Sequence, residues 1–378
     1  MSEAIAFFRD TLAAHPERDG QAAEAAACAG VPRPYACFYL GHLRTPDDHT
    51  TAPTLFELPP HAFPDHDEGR LARDILGLLG SLDMLNPVNA VLGSGAVGTP
   101  AEFVLSFGTP LSADRGAAAS TCSPAELLRR PPPDPDTAPP MPDIRRRIQR
   151  LKALTPPEFK IGLPDFQGPF NLVHALCGDD AFVAPRAEPE AYEAVMTRIT
   201  DFWIAAHERI LAWIGPERLR PLERRGVRIA ECSVNMVSPK FYREHILRFD
   251  RRIAAHFGAV RIHPCSGGHV FQATLDGLPN VIATEAGLMR SKMAAACIAV
   301  PDALAQLGGR PVVLNIGQEL PEDFAEAAAL IRADFALART NHRLLFGYTG
   351  MDWRTVDRPR IRELHRQLDA TWPAAPAG

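Results

Sequence analysis

The sequence predicts an α/β protein, a (β/α)8 barrel with an N-terminal helical extension and a Pro-rich insertion. Eight apolar, strand-like segments begin near residues 35, 88, 161, 226, 258, 281, 310 and 343. The last five begin 32, 23, 29 and 33 residues apart with helical stretches between them, the length of a strand–helix unit with a right-handed crossover. No G-x-G-x-x-G follows an early strand, which places a doubly wound open sheet second. The chain has 378 residues, and barrels of this size commonly form one domain. The expected organisation is therefore a helical extension over 1–30 and a single barrel over 31–372, carrying the insertion at about 109–143.

Residues 1–29 alternate helix formers with small residues and predict one or two surface helices. The segment 35–40 is the first strand, bounded by Pro32 and Pro34 before it and Gly41 after. Residues 43–69 form a long irregular excursion rich in Pro, Asp and His. His42, His49, His61 and His66 fall in or beside it without metal-ligand spacing and read as solvated loop histidines. Residues 71–85 have helical periodicity, and 88–93 is the second strand. The stretch 109–143 is the weakest for order. Its run from Arg130 to Pro142 cannot form a helix or a central strand, so it is a surface insertion or a stiff linker.

Beyond it the pattern becomes regular. Residues 160–166 form a strand running into Gln167-Gly-Pro-Phe170, and Pro189 opens a long amphipathic helix to about Ile214. A strand at 226–230 is followed by Ser238-Pro239, an N-cap and first-turn pair for a helix to His256. Strands ending at His263, at 281–284, at 312–315 and at 344–346 follow, with the clearest intervening helix at 322–339.

Net charge is −5 and no Lys/Arg block with interleaved aromatics occurs, which excludes nucleic acid as the natural partner. No apolar run reaches the roughly 18 residues of a membrane span. The first ten residues include an acidic side chain and only a short apolar core, unlike a signal peptide, so a cytoplasmic location is expected. Seven cysteines, at 28, 37, 122, 177, 232, 265 and 297, lack paired spacing. They read as reduced thiols or ligands rather than a disulfide framework.

The chemistry concentrates at His263-Pro-Cys265-Ser-Gly-Gly268. His and Cys at i and i+2 project from the same side of an extended segment, and an imidazole nitrogen with a thiolate sulfur suits Zn²⁺. A lone His-x-Cys also arises by chance; the strand end, the glycine turn and the later Glu285 give it context. In a barrel the site lies at the C-terminal ends of the strands. Those ends carry Asp165, Gln167, Glu231, Cys232, His263, Cys265, Glu285, Asn315, Gln318, Tyr348 and Asp352. The expected metal ligands are His263, Cys265 and Glu285, with one position open for water or substrate. The expected catalytic residues are Glu231, Tyr348 and Asp352, and the expected substrate-binding residues are Asp165, Gln167, Asn235 and Gln318. Glu231 also fits a second-shell or salt-bridge role. Cys232 reads first as a small buried side chain and second as a ligand. Cys297 reads as helix packing, and His269 as the start of a helix.

Three stretches resemble the successive signatures of the uroporphyrinogen decarboxylase-like superfamily. They are Gln167-Gly-Pro-Phe-Asn-Leu-Val173, Ser233-Val-Asn-Met-Val-Ser-Pro-Lys-Phe-Tyr242 and Ile262-His-Pro-Cys-Ser-Gly-Gly268. The likeness covers about residues 155–370, with 1–150 matching loosely, and it implies the same (β/α)8 barrel. The decarboxylase branch has an N-terminal Arg-Gln-Ala-Gly-Arg type of motif, absent here, where Gly41-His-Leu-Arg44 is a poor substitute. It also lacks the His-x-Cys. The zinc methyltransferase and cobalamin-independent methionine synthase branches have His-x-Cys, and the latter a Glu one unit later, matching His263, Cys265 and Glu285. Their final zinc-ligand cysteine is missing from Phe346-Gly-Tyr-Thr-Gly-Met-Asp-Trp353. That departure implies a weaker site, an oxygen ligand such as Asp352, or a different reaction. The resemblance thus implies a zinc methyltransferase activating a thiol acceptor, with a corrinoid protein or a folate-like compound as methyl donor. The alternatives are a metal-assisted decarboxylase or lyase on a small carboxylated substrate, with Arg44 or Arg261 as its clamp, and a non-catalytic binding barrel.

Overall fold

The computed structural model describes residues 20–31, 38–40, 91–95, 102–112, 117–265, 267–286, 298–319, 321 and 323–349, with isolated positions at 6, 9, 10, 13, 363, 364 and 367. The described strands are β1 (Phe38–Leu40), β2 (Val91–Gly93), β3 (Lys160–Gly162), β4 (Val227–Ala230), β5 (Val260–His263), β6 (Val281–Ala286), β7 (Val313–Glu319) and β8 (Leu344–Thr349). Each falls on or beside a segment expected to be a strand. The chain divides into two compact units, one of Met1–Ala90, Ala286–Ala294 and Arg310–Gly378, the other of Val91–Glu285 and Ala295–Gly309.

In the second unit β2 pairs with β3, Leu92 opposite Ile161. Gln167, just past β3, bridges in parallel to Ala230 at the end of β4. β4 pairs with β5 from Val227↔Val260 to Ala230↔His263, and β5 pairs with β6 through a register shift at Val260/Arg261. All are parallel. Ile161, Val227, Ile229, Val260 and Ile262 are buried, and Arg228 and Arg261 alternate with the apolar residues of β4 and β5, pointing to the other face. In the first unit β1 pairs with β8 and β7 pairs with β8, again in parallel, with Leu314 opposite Leu344. The architecture is mixed α/β with parallel sheets, and among the described residues these ladders do not close into a barrel.

Helix Pro189–Ile214 packs against helices Pro124–Arg129, Met141–Leu154, Pro169–Cys177, Asp180–Ala187 and Leu247–Phe257 because its apolar residues recur at three and four. Tyr192, Val195, Met196, Ile199, Trp203, Ala206, Ile210 and Ile214 are all buried. It stops at Gly215, where φ 78 requires a residue without a Cβ. Trp203 stacks on His207 with ring centroids 3.5 Å apart, and its indole N–H donates to the Gln167 carbonyl at 3.0 Å. That hydrogen bond ties the helix to the loop after β3.

Two expectations need correcting. The Pro-rich stretch, read as the weakest part for order, is strapped down over 117–143. Ser123 and Glu126 form a capping box on helix Pro124–Arg129, and helix Met141–Leu154 starts with Pro142 in its first turn. Prolines offer carbonyls and no N–H, so donors must come from elsewhere. Arg198 supplies them to Leu127 O, Leu128 O and Arg130 O at 3.2, 3.2 and 2.8 Å. Arg209 reaches Asp136 at 2.9 Å, and the Ser106 hydroxyl donates to Pro139 O at 2.6 Å. Nor is helix Gly20–Ala29 a surface helix. It buries Ala23, Ala27 and Cys28, and Arg343 caps its end by donating to Ala27 O and Cys28 O at 3.3 and 2.7 Å.

The histidines at 42, 49, 61 and 66, the expected helix at 71–85, Cys37 and Cys297 lie outside the described residues. No helix among the described residues is long and apolar enough to cross a membrane. Replacing Arg198 by Ala should destabilise the protein by about 2 kcal/mol, since a charged donor to partly buried carbonyls is lost. Limited proteolysis should then cut first within 124–140; an unchanged cleavage pattern would contradict this strapping.

Candidate metal centre

The register of β4 against β5 builds the site. Ala230 stands opposite His263, and the next N–H, of Glu231, donates to the His263 carbonyl at 2.9 Å. Both chains then leave the sheet together. The first turns into a 3₁₀ segment, Cys232–Met236. The second passes Pro264 and bends at Cys265, whose φ of 51 lies in the left-handed region, a conformation costing about 1–2 kcal/mol for a residue with a Cβ. Gly267 closes the bend by donating to Pro264 O at 2.8 Å. A Cβ there would lie 2.8 Å from that same oxygen, so only glycine fits. As a result the ligand atoms of Cys232, His263 and Cys265 all lie within 4.8 Å of one another.

Cys232 is thus the residue whose first reading, a small buried side chain, the structure revises. It is half-buried and joins the pair read from the motif. A hydrogen bond with Cys265, reinforced by burial, pushes its thiol well above the usual range. The signal was its place two residues beyond a strand adjacent to β5, legible once strand neighbours are known.

Glu285, expected as a ligand, is paired with His263 Nδ1 and is not among the three residues whose ligand atoms cluster. Arg228 lies beside Glu285 at 3.7 Å and holds Asp165 at 2.9 Å. Burial alone would lower the His263 pKa, but the charge and hydrogen bond of Glu285 together with a hydrogen bond to Cys265 lift the ring to about 9. Burial likewise opposes ionisation of Glu285, yet His263, Arg228 and Arg261 together hold it down to about 2.

Glu231 is fully enclosed. Its carboxylate accepts from the N–H groups of Phe170 and Asn171 at 3.1 and 3.0 Å, at the N-terminus of helix Pro169–Cys177. Gly168 is required because a Cβ there would lie 2.4 Å from Glu231 Oε1. Burial and the neighbouring Asp250 raise the Glu231 pKa far above the carboxylate range, and burial lifts Asp250 to about 7. Tyr242 donates to Asp250 Oδ2 at 2.9 Å from a single π turn, Tyr242–Ile246. The two carboxyls thus form one buried acid pair behind Cys232.

The other expected residues divide. Gln167 is buried in the wall and accepts from Asn171 Nδ2; Asn235 lies half-buried in the 3₁₀ segment. Gln318 and Tyr348 face each other across the β7–β8 ladder, but their side chains, like all of Asp352, lie outside the described residues. His269, expected at a helix start, does stand there, with Nε2 bound to Val237 O at 2.7 Å. Asn171 and His174 escaped sequence reasoning. Asn171 Oδ1 accepts from Ser233 N at 2.7 Å, and His174 Nδ1 meets Ser233 Oγ at 2.8 Å, so both brace the turn that carries Cys232.

In metal-free protein the His263–Glu285 pair should shape stability against pH. His263, raised above 6.5, stabilises fully below that pH and loses its contribution as pH rises through about 9; Glu285, depressed from 4.5, loses its own only as pH falls toward 2. The melting temperature should therefore decline between pH 7 and 9.5, and Glu285→Gln should flatten that decline. A parallel decline in the variant would remove the pair as its cause.

No family model matches this chain, and no curated relative matches it. Among solved structures, a methyltransferase from Methanosarcina mazei is similar with a TM-score of 0.57 at 14% identity, over 93% of this chain and 98% of that one. The likeness is one of fold.

Proposed function

We propose that this chain is a zinc-dependent methyltransferase that activates a thiol acceptor, a barrel of the uroporphyrinogen decarboxylase-like superfamily spanning 31–372. The observation that carries the reading is the convergence of Cys232, His263 and Cys265 at the ends of two neighbouring strands. The fold likeness to a methyltransferase supports it. The donor set fits the metal. Around a tetrahedral zinc with bonds of about 2.0–2.3 Å, ligand atoms stand about 3.3–3.8 Å apart, and these three already lie within 4.8 Å. Two sulfurs and one nitrogen suit Zn²⁺. Cys232 supplies the ligand that the missing late cysteine left open.

Bound zinc would supply a Lewis acid that lowers the pKa of a substrate thiol at the remaining position. The protein's own groups do the rest. Glu285 holds His263 Nδ1, which would leave Nε2 to bind the metal, and Arg228 contacts Glu285 in turn. The buried Glu231 positions the turn before Cys232 rather than meeting substrate. Half-exposed Asp165, on Arg228, stands where substrate polar groups can reach it. The methyl donor in this reading is a corrinoid protein or a folate-like compound.

Protein purified without added metal should contain about one zinc per chain. Cys232→Ser, His263→Ala and Cys265→Ser should each lose it, and Glu285→Gln should weaken zinc about ten- to hundredfold. Methyl transfer from free methylcobalamin to a panel of small thiols should stop on chelation and return with zinc. Transfer that survives chelation, or turnover without any thiol, would exclude this reading in favour of a decarboxylase or lyase.

A further inference from the structure

We propose that an arginine-lined cavity in the second unit is a binding site for a small carboxylate. The cavity has a volume of about 210 Å³, smaller than the roughly 300 Å³ at which drug-sized sites begin and suited to an acid of a few carbons. Arg228 and Arg261 stand side by side in the β4–β5 ladder and line it together with Arg220. Leu163, Pro164 and Phe166 form an apolar wall. Guanidiniums on one side and apolar surface on the other match a carboxylate on a short carbon chain better than a bare inorganic anion.

Asp165 and Glu223 also line the cavity, and Glu285 stands beside Arg228 at 3.7 Å. His207, the remaining ionisable lining group, is pulled down to about 3 by burial and brings no charge at neutral pH. Asp165 accepts from Arg228 at 2.9 Å, and Glu223 accepts from the Arg220 backbone N–H at 3.3 Å. Arg261 is only 9% exposed and donates through Nε to Gly226 O at 3.2 Å. Guanidiniums held in a partly buried wall attract an anion more strongly than the same groups would in water. Arg228 also touches Glu285, the partner of His263, so a ligand here lies one side chain from the candidate metal centre. The proposal stands on the cavity alone and does not require the metal reading.

The test is thermal unfolding of the full chain titrated with butyrate, with butyramide and inorganic phosphate as comparisons and zinc content measured alongside. Butyrate should raise the melting temperature saturably, butyramide should not, and phosphate should act more weakly. Arg220→Gln should weaken butyrate at least about tenfold with zinc content unchanged. Arg261→Gln should do the same if it folds; if it does not, Arg220→Gln decides. Equal stabilisation by butyramide or phosphate, no saturable shift, or undiminished butyrate binding in Arg220→Gln would overturn the proposal. Loss of zinc in the parent protein would touch only the metal reading.

Discussion

The parallel register that sets Ala230 opposite His263 determines what the rest of this region can do. In a parallel pair the side chains of facing residues share a face, and the segments leaving the strand ends start from neighbouring points. Cys232 leaves one strand two residues past Ala230, and Cys265 leaves the other two residues past His263. A slip of β5 by one residue would turn Arg261 and His263 to the face opposite Arg228 and separate the three ligand atoms. The register is itself protected, because Val227, Ile229, Val260 and Ile262 are buried and exchange poorly with the polar positions between them.

Those polar positions carry charge where charge is expensive. A row of groups, Asp165, Arg228, Glu285 and His263, runs side chain to side chain toward the sulfurs. Behind Cys232 a second set, Tyr242, Asp250 and Glu231, reaches the N-terminus of helix Pro169–Cys177. Burying such groups is tolerated when each meets a partner, and removing one partner typically costs about 3–5 kcal/mol. Both sets end at the residues that hold the candidate ligands. Their physical effect is to fix an imidazole and a turn in one orientation each, which is what a metal site needs from its surroundings.

Much of this was legible in the sequence, for reasons that differ by residue. The late strands and the helix Pro189–Ile214 could be read because buried parallel strands and amphipathic helices have strong, distinct periods. His263 and Cys265 could be read because the spacing of two in an extended segment needs no knowledge of neighbours. Cys232 and Glu285 required knowing what lies across the ladder. The structure groups the Cys232 sulfur with the candidate ligand atoms and pairs the Glu285 carboxylate with His263 Nδ1. The Pro-rich stretch looked loose because its prolines lack N–H donors; Arg198 and Arg209, more than 60 residues away in sequence, supply several of the missing ones. Asn171 and His174 carry no local signal, since their partner Ser233 is about 60 residues distant.

The most direct test of this account is X-ray absorption at the zinc edge on protein purified without added metal. The expected shell has two sulfurs at about 2.3 Å and one nitrogen at about 2.0 Å, with one light atom completing four-coordination. Cys232→Ser should reduce the sulfur count from two to one. A shell of oxygen and nitrogen only, or a sulfur count indifferent to Cys232, would contradict the centre described here.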